Sequence, residues 1–154
     1  MIKKYLILIL LSLIFNTSIF AAGSDDTSSK VDDYLKASNL IKAAKRYEKK
    51  GKTEKAQKLL LKSNKKKPLQ ADTLNYLGFT TRKLGDYEKG EEYYLQGLKV
   101  EPNHKGINEY LGELYVVTKR IDLAKERLEV LKNCNCEEYD DLKEIIAGTK
   151  KSKY

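Results

Sequence analysis

Three residues of this 154-residue chain carry chemistry that the rest lack: Cys134 and Cys136, its two cysteines, and His104, its one histidine. In an oxidising compartment a C-x-C pair closes into a small ring, a clip across whatever joint it spans. Kept as thiolates, the pair together with His104 would form a Cys2His set suited to Cu(I) or Zn(II), although no fourth ligand is evident. A redox role for the pair is the third option. A hydrolase triad needs a base beside a nucleophile, and His104 stands in a turn just after Pro102. Neither G-x-x-x-x-G-K-[ST] nor G-x-G-x-x-G occurs, so no phosphate-cradling loop is expected. The paired acids Glu91-Glu92 and Asp140-Asp141 are adjacent, so on a helix they point in different directions and read as solvated faces. No catalytic residue, no cofactor and no enzymatic activity are expected.

Whatever these residues do, a repeating framework has to position them. Gly51 recurs as Gly85, Pro68 as Pro102 and Leu77-Gly78 as Leu111-Gly112, a period of thirty-four residues. The same register aligns Tyr47, Thr81 and Tyr115, then Ala56, Gly90 and Ala124, then Leu60, Tyr94 and Leu128. A fixed period of that size means stacked supersecondary units. Within the middle unit, Leu74, Leu77 and Phe79 precede Gly85-Asp86, and Tyr87, Tyr94 and Leu98 follow it, all at helical spacing. This predicts two antiparallel amphipathic helices per unit. Gly78 and Gly112 permit close helix approach, and Pro68 and Pro102 stop the second helix of a unit.

The middle unit, 71–102, reads L-N-Y-L-G-F-T-T-R-K-L-G-D-Y-E-K-G-E-E-Y-Y-L-Q-G-L-K-V-E-P from Leu74 onward. It resembles the tetratricopeptide repeat (TPR) family at Leu77-Gly78, Gly85-Asp86-Tyr87, Gly90, Tyr94 and Pro102. Leu74 stands where the family most often has tryptophan, Thr81 replaces an aromatic, and Gly90 and Gly97 replace alanines. A degenerate unit over 37–68 keeps Leu40, Ala43-Ala44, Tyr47, Gly51, Ala56, Leu60 and Pro68. The third, 105–136, has Lys119 for the turn glycine and Cys136 for the closing proline.

The resemblance implies an all-α fold over 35–148: three helix-turn-helix repeats in a right-handed solenoid, closed by a capping helix at 137–148. It also implies a non-enzymatic interaction module whose first helices line a concave groove. Positions two, five, nine, twelve and thirteen of those helices commonly meet the partner. Carried over, they give Ile41, Lys45, Glu48 and Lys49, then Asn75, Phe79, Arg82 and Lys83, then Glu109, Glu113, Val116 and Val117. Phe79, large and apolar, is the expected anchor, with packing on a neighbouring helix as its other reading. The chaperone-tail clamp of some family members needs lysine and asparagine in repeat one and lysine with arginine in repeat three. Here Ile41, Lys45, Gly106 and Tyr110 stand in those places, so a partner of different chemistry is implied.

The ends and the charge complete the expectations. Lys3 and Lys4 before the apolar run Tyr5 to Phe15 read as a signal peptide over 1–21, too short to span a bilayer as an anchor. Residues 22–34 read as a polar linker and 149–154 as a frayed tail. Export to the periplasm or the extracellular space follows, with no stable membrane anchor after cleavage. Thirteen Lys or Arg between Lys36 and Pro68 face only Glu48 and Glu54, so the first repeat is a basic block within a chain of formal charge +8. It suits an acidic protein partner, an anionic lipid surface or an anionic wall polymer, or is a plain solvated face. The aromatics fall on packing positions and not among the basic residues, so nucleic acid is not expected. The functional reading is a scaffold binding another cell-envelope protein or peptide. The alternatives are a metal or redox accessory protein using Cys134 and Cys136, and a self-associating structural element.

Overall fold

The computed structural model describes residues 39–153, and the leader expected over 1–21 and the linker over 22–34 lie outside them. The described residues form seven helices and no strand. Helix α1 covers 39–48, followed by α2 (Thr53–Lys66), α3 (Ala71–Lys83), α4 (Tyr87–Val100), α5 (Lys105–Val117), α6 (Ile121–Leu131) and α7 (Glu137–Ile146). Neighbouring helices pack in sequence order, and α7 lies against both α5 and α6. The result is an all-helical stack of three helix pairs with a closing helix.

Each pair reverses by the same device. Gly51, Gly85 and Lys119 all adopt positive φ, at 67°, 99° and 61°. Around each, two amides return to the end of the preceding helix. Gly85 and Asp86 donate to the carbonyls of Arg82 and Thr81, and Lys119 and Arg120 donate to those of Val116 and Tyr115. Such a left-handed residue satisfies carbonyls that the helix end would otherwise leave orphaned. Glycine enters this conformation freely, whereas Lys119 bears the steric cost of a Cβ there. Side-chain caps start α4 and α5: the Asp86 carboxylate accepts the Lys89 amide at 2.9 Å, and His104 Nδ1 accepts the Ile107 amide at 3.1 Å.

Glycine is also needed where helices touch. A Cβ on Gly78 would stand 2.5 Å from the Tyr94 ring, and one on Gly112 would stand 2.5 Å from Leu142. Tyr94 and Leu142 are both fully buried. The two glycines thus serve one purpose with different partners. Tyr94 belongs to the second helix of its own repeat, whereas in repeat three the contact comes from α7, and Leu128, the residue in register with Tyr94, is only half-buried. Leu74, Leu77, Ile107, Leu111 and Leu114 fill the interior between these contacts. Each such side chain contributes about 1.5–3 kcal/mol on burial. Polar ties fix the register of α2 on α3: Gln57 donates to the Thr81 hydroxyl at 2.9 Å, and the Ser63 and Thr73 hydroxyls meet at 3.3 Å. Thr81, in the place of a family aromatic, is therefore used as a buried acceptor.

Helix α7 buries Leu142 and Ile145 and carries Glu137, Glu138 and Asp140 in its first turn, where the helix dipole favours them. Beyond it the chain differs from the expected frayed tail. Gly148, at φ 75°, turns the backbone, and Thr149 and Lys150 both donate to the Glu144 carbonyl. Residues 150–153 then run back onto α5. Buried carboxylates on α5 and α7 hold them there.

Candidate partner-binding site

The first helices of the three pairs, α1, α3 and α5, line one face, and side-chain contacts step along it from repeat to repeat. Lys45 Nζ lies 4.5 Å from the centroid of the Tyr76 ring, Glu48 pairs with Lys83, and the Phe79 and Tyr110 rings sit 5.3 Å apart with a 44° tilt. Between α1 and α3 these contacts leave a groove of about 230 Å³, floored by Ala44, Ala56 and Leu60 and walled by Lys45, Lys49, Tyr76, Phe79 and Tyr110. Its lining is mostly apolar, with cations at the rim. Lys45, Lys49, Lys83 and Val117 are exposed, and Ile41, Glu48, Phe79 and Val116 are half-buried. Phe79 packs on Tyr110 and also lines the groove.

Four of the positions expected to meet a partner are instead interior. Asn75, Arg82, Glu109 and Glu113 are each less than 5% exposed. The Arg82 guanidinium donates to the Tyr110 carbonyl at 2.7 Å and to Glu113 Oε2 at 3.2 Å, with neither side chain of the ion pair reaching solvent. A charge so deep requires an opposite charge, and each supplies the other's. Glu113 Oε2 also accepts the Ser152 hydroxyl at 2.8 Å and, more weakly, the Lys153 amide at 3.4 Å. Glu109 Oε1 accepts Lys153 Nζ at 2.6 Å, and the same ammonium lies 3.2 Å from Asp141 Oδ2 and 5.2 Å from the Tyr110 ring centroid.

Burial pushes the Glu109 carboxyl up to about 7; the hydrogen bond and charge of Lys153 pull it down, and the neighbouring Glu113 and Asp141 carboxylates add to the rise. Asp141 is held below the usual carboxylate range, first by its hydrogen bond from Lys150. Burial opposes the charge on Lys153, but its hydrogen bond and attraction to Glu109 prevail and keep its ammonium above the ordinary lysine range. Tyr110, Asp141 and Lys153 were not among the residues the repeat positions single out. For Arg82 and Glu113 a signal did exist, since they are opposite charges at inner-face positions of successive repeats.

The cysteine and histidine chemistry resolves into structure. Cys134 and Cys136 are joined by a disulfide, with Cα atoms 5.2 Å apart, in the link between α6 and α7. His104 caps α5 through Nδ1 and places Nε2 3.4 Å from Asp72 Oδ1, so both ring nitrogens have protein neighbours. Thiolates and imidazole do not converge into the Cys2His set considered from the sequence. Among the described residues no three metal-ligating side chains come together.

This arrangement of paired antiparallel helices, inner face and closing helix defines a helical repeat solenoid. The chain has the TPR fold. Its structure superposes on the first TPR domain of Spaghetti (RPAP3) bound to the HSP90 peptide SRMEEVD with a TM-score of 0.66 at 18% identity, covering 75% of this chain and 93% of that one. The type III secretion translocator chaperone SycD of Yersinia enterocolitica matches with a TM-score of 0.63 at 16% identity, over 73% and 87% of the two chains. In sequence, 73 residues are 40% identical to the sol locus transcriptional repressor of Clostridium acetobutylicum, 45% of this chain but 23% of that relative's length. No protein-family model matches the chain.

Proposed function

We propose that this chain is a non-enzymatic protein–protein interaction module that receives an extended peptide or partner helix along the inner face of α1, α3 and α5. The observation that carries the proposal is the groove between α1 and α3, where Tyr76 and Phe79 keep apolar surface at an opening rimmed by Lys45 and Lys49. Large aromatics at a concave opening are the usual anchors of a covered interface. The solved neighbours of this fold support the class of partner: one holds a chaperone peptide, and another is named a chaperone for a secretion translocator. We place its work in the cell envelope after export. The lysine start and apolar run of residues 3–15 support this, as does the oxidised cysteine pair. No helix of the described residues is long and apolar enough to cross a membrane. The basic first repeat assists encounter with a partner bearing acidic surface.

The test is crosslinking capture from the native cell envelope with wild type and a Phe79→Asp, Lys49→Glu variant whose helicity by circular dichroism equals wild type. Arg82 is left intact because its ion pair is interior. Defined proteins retained by wild type and lost by the variant are expected. Identical capture by both would remove the groove from the interaction.

A further inference from the structure

One end of the inner face already contains a ligand-like segment. Residues 150–153 follow the Gly148 turn out of α7 and lie against α5, where Ser152 and Lys153 reach Glu113 and Glu109. Their Lys153 ammonium is received by three groups contributed by two helices: Glu109 at 2.6 Å, Asp141 at 3.2 Å and the face of Tyr110 at 5.2 Å from its centroid. Two carboxylates and an aromatic face converging on one ammonium is how proteins read a lysine side chain. The preceding Ser152 hydroxyl and the Lys153 amide both end on Glu113, which fixes the backbone of the segment as well as its charge.

The receiving groups belong to the helices, so they persist when the segment leaves. Glu109 and Asp141 side chains are only 4% and 10% exposed with the segment seated, and its departure would remove the Lys150 and Lys153 ammoniums that pair with these two carboxylates. Arg82 is already committed to Glu113 and the Tyr110 carbonyl. Two further acceptors are unpartnered: Glu113 Oε1, and Asn75 Oδ1, whose side chain lines the adjoining hollow between α3 and α5 together with Glu109, Tyr110 and Glu138. The site therefore offers negative charge and acceptors, and asks for donors. This is the reverse of the peptide in the Spaghetti TPR structure, whose sequence SRMEEVD is rich in acids.

We propose that Glu109, Asp141 and Tyr110 form a lysine-reading subsite, that residues 150–153 are its resident and displaceable occupant, and that the partner enters with an extended lysine-bearing segment of its own. The proposal rests on the inner-face reading above and supplies the chemistry of the ligand. The tethered segment acts at a high effective concentration, so an incoming segment competes with it, and binding measured on wild type is weaker than the site's intrinsic affinity.

The experiment uses the full chain and a labelled peptide, Thr-Lys-Lys-Ser-Lys, reproducing residues 149–153. Fluorescence anisotropy is read for wild type, Lys153→Ala and Lys153→Ala with Glu109→Gln. Lys153→Ala should bind the peptide about tenfold or more tighter than wild type, and the gain should vanish with Glu109→Gln or when the last lysine of the peptide is acetylated. Equal binding to wild type and Lys153→Ala, or binding indifferent to acetylation, overturns the proposal. Because Lys153→Ala could weaken the fold by unpairing Glu109, a second measurement leaves the wild-type sequence untouched. Amine labelling read by mass spectrometry should find Lys153, 39% exposed but ion-paired, slower to react than the exposed Lys151, and excess unlabelled peptide should abolish that difference. Equal labelling without peptide overturns the seating of the segment. Loss of the peptide effect with continued sensitivity of partner capture to Phe79→Asp would reject the lysine subsite and retain the groove. The opposite pattern would retain the subsite and reject the groove.

Discussion

At the α1 end the inner face is open, apolar and rimmed by lysines; at the α5 end it is filled, acidic and sealed. Equivalent repeat positions meet opposite fates: Lys45 and Phe79 keep contact with the groove, whereas Glu113, at the same position one repeat on, is wholly buried. The difference lies in what stands beside each. Glu113 has Arg82 on the previous repeat and Ser152 from the returning segment, so desolvation is offset there. Lys45 lies over a tyrosine face and remains at the surface. Position in a repeat nominates a residue for the inner face, and its charged neighbours decide whether it stays available.

Breaking the sealed end should have the largest effect. Glu113→Ala removes the carboxylate facing the buried Arg82 guanidinium and should cost about 3–5 kcal/mol in urea unfolding, while Arg82→Met with Glu113→Leu together should cost less than the single change. At the open end Glu48→Ala, which removes the pair with the exposed Lys83, should cost at most about 1 kcal/mol. Near-equal losses at the two ends would erase the contrast.

The next effect is pH. Glu109 is held above its ordinary value of 4.5, at about 7, so between these values the folded state keeps a proton that the unfolded chain has released. Its contribution to stability is therefore greatest below pH 4.5 and falls as pH rises toward 7, by on the order of 3 kcal/mol. Glu109→Gln should flatten that part of the stability profile measured by denaturant titration at stepped pH. A profile unchanged by the substitution would mean that Lys153 compensates the buried charge in full.

The smallest change sharpens the comparison between the turns. Lys119→Gly relieves a left-handed lysine where the other two repeats have glycine, and should raise stability by up to about 1 kcal/mol, read as a higher thermal midpoint. A loss would show that the lysine side chain has a packing role.

Much of the framework could be read from the chain because it is periodic. The recurrences of Gly51 and Gly85, and of Gly78 and Gly112, each correspond to a local steric requirement, a left-handed turn or a close helix contact, that any repeat must meet. The basic and acidic ends of the inner face were also visible as a list of charges. What periodicity could not convey is anything made once. Residues 150–153 have no counterpart in another repeat, and their composition reads as solvated; only their placement beside Glu109 and Asp141 gives them a role. The opposite charges of Arg82 and Glu113 hinted at a pair, but its burial depends on how α3 and α5 pack together. His104 could be grouped with the cysteines by repeat register, but its Nδ1 instead caps α5 at the Ile107 amide.

One consequence of the Leu142 contact with Gly112 concerns growth of the array. Helix α7 occupies the flank of α5 and α6 on which a further repeat would have to stack, and its hydrophobic side is spent on that contact. End-to-end addition of copies needs two complementary flanks per molecule, and this one is stoppered. Copies that stacked through the opposite flank of both would form a closed pair.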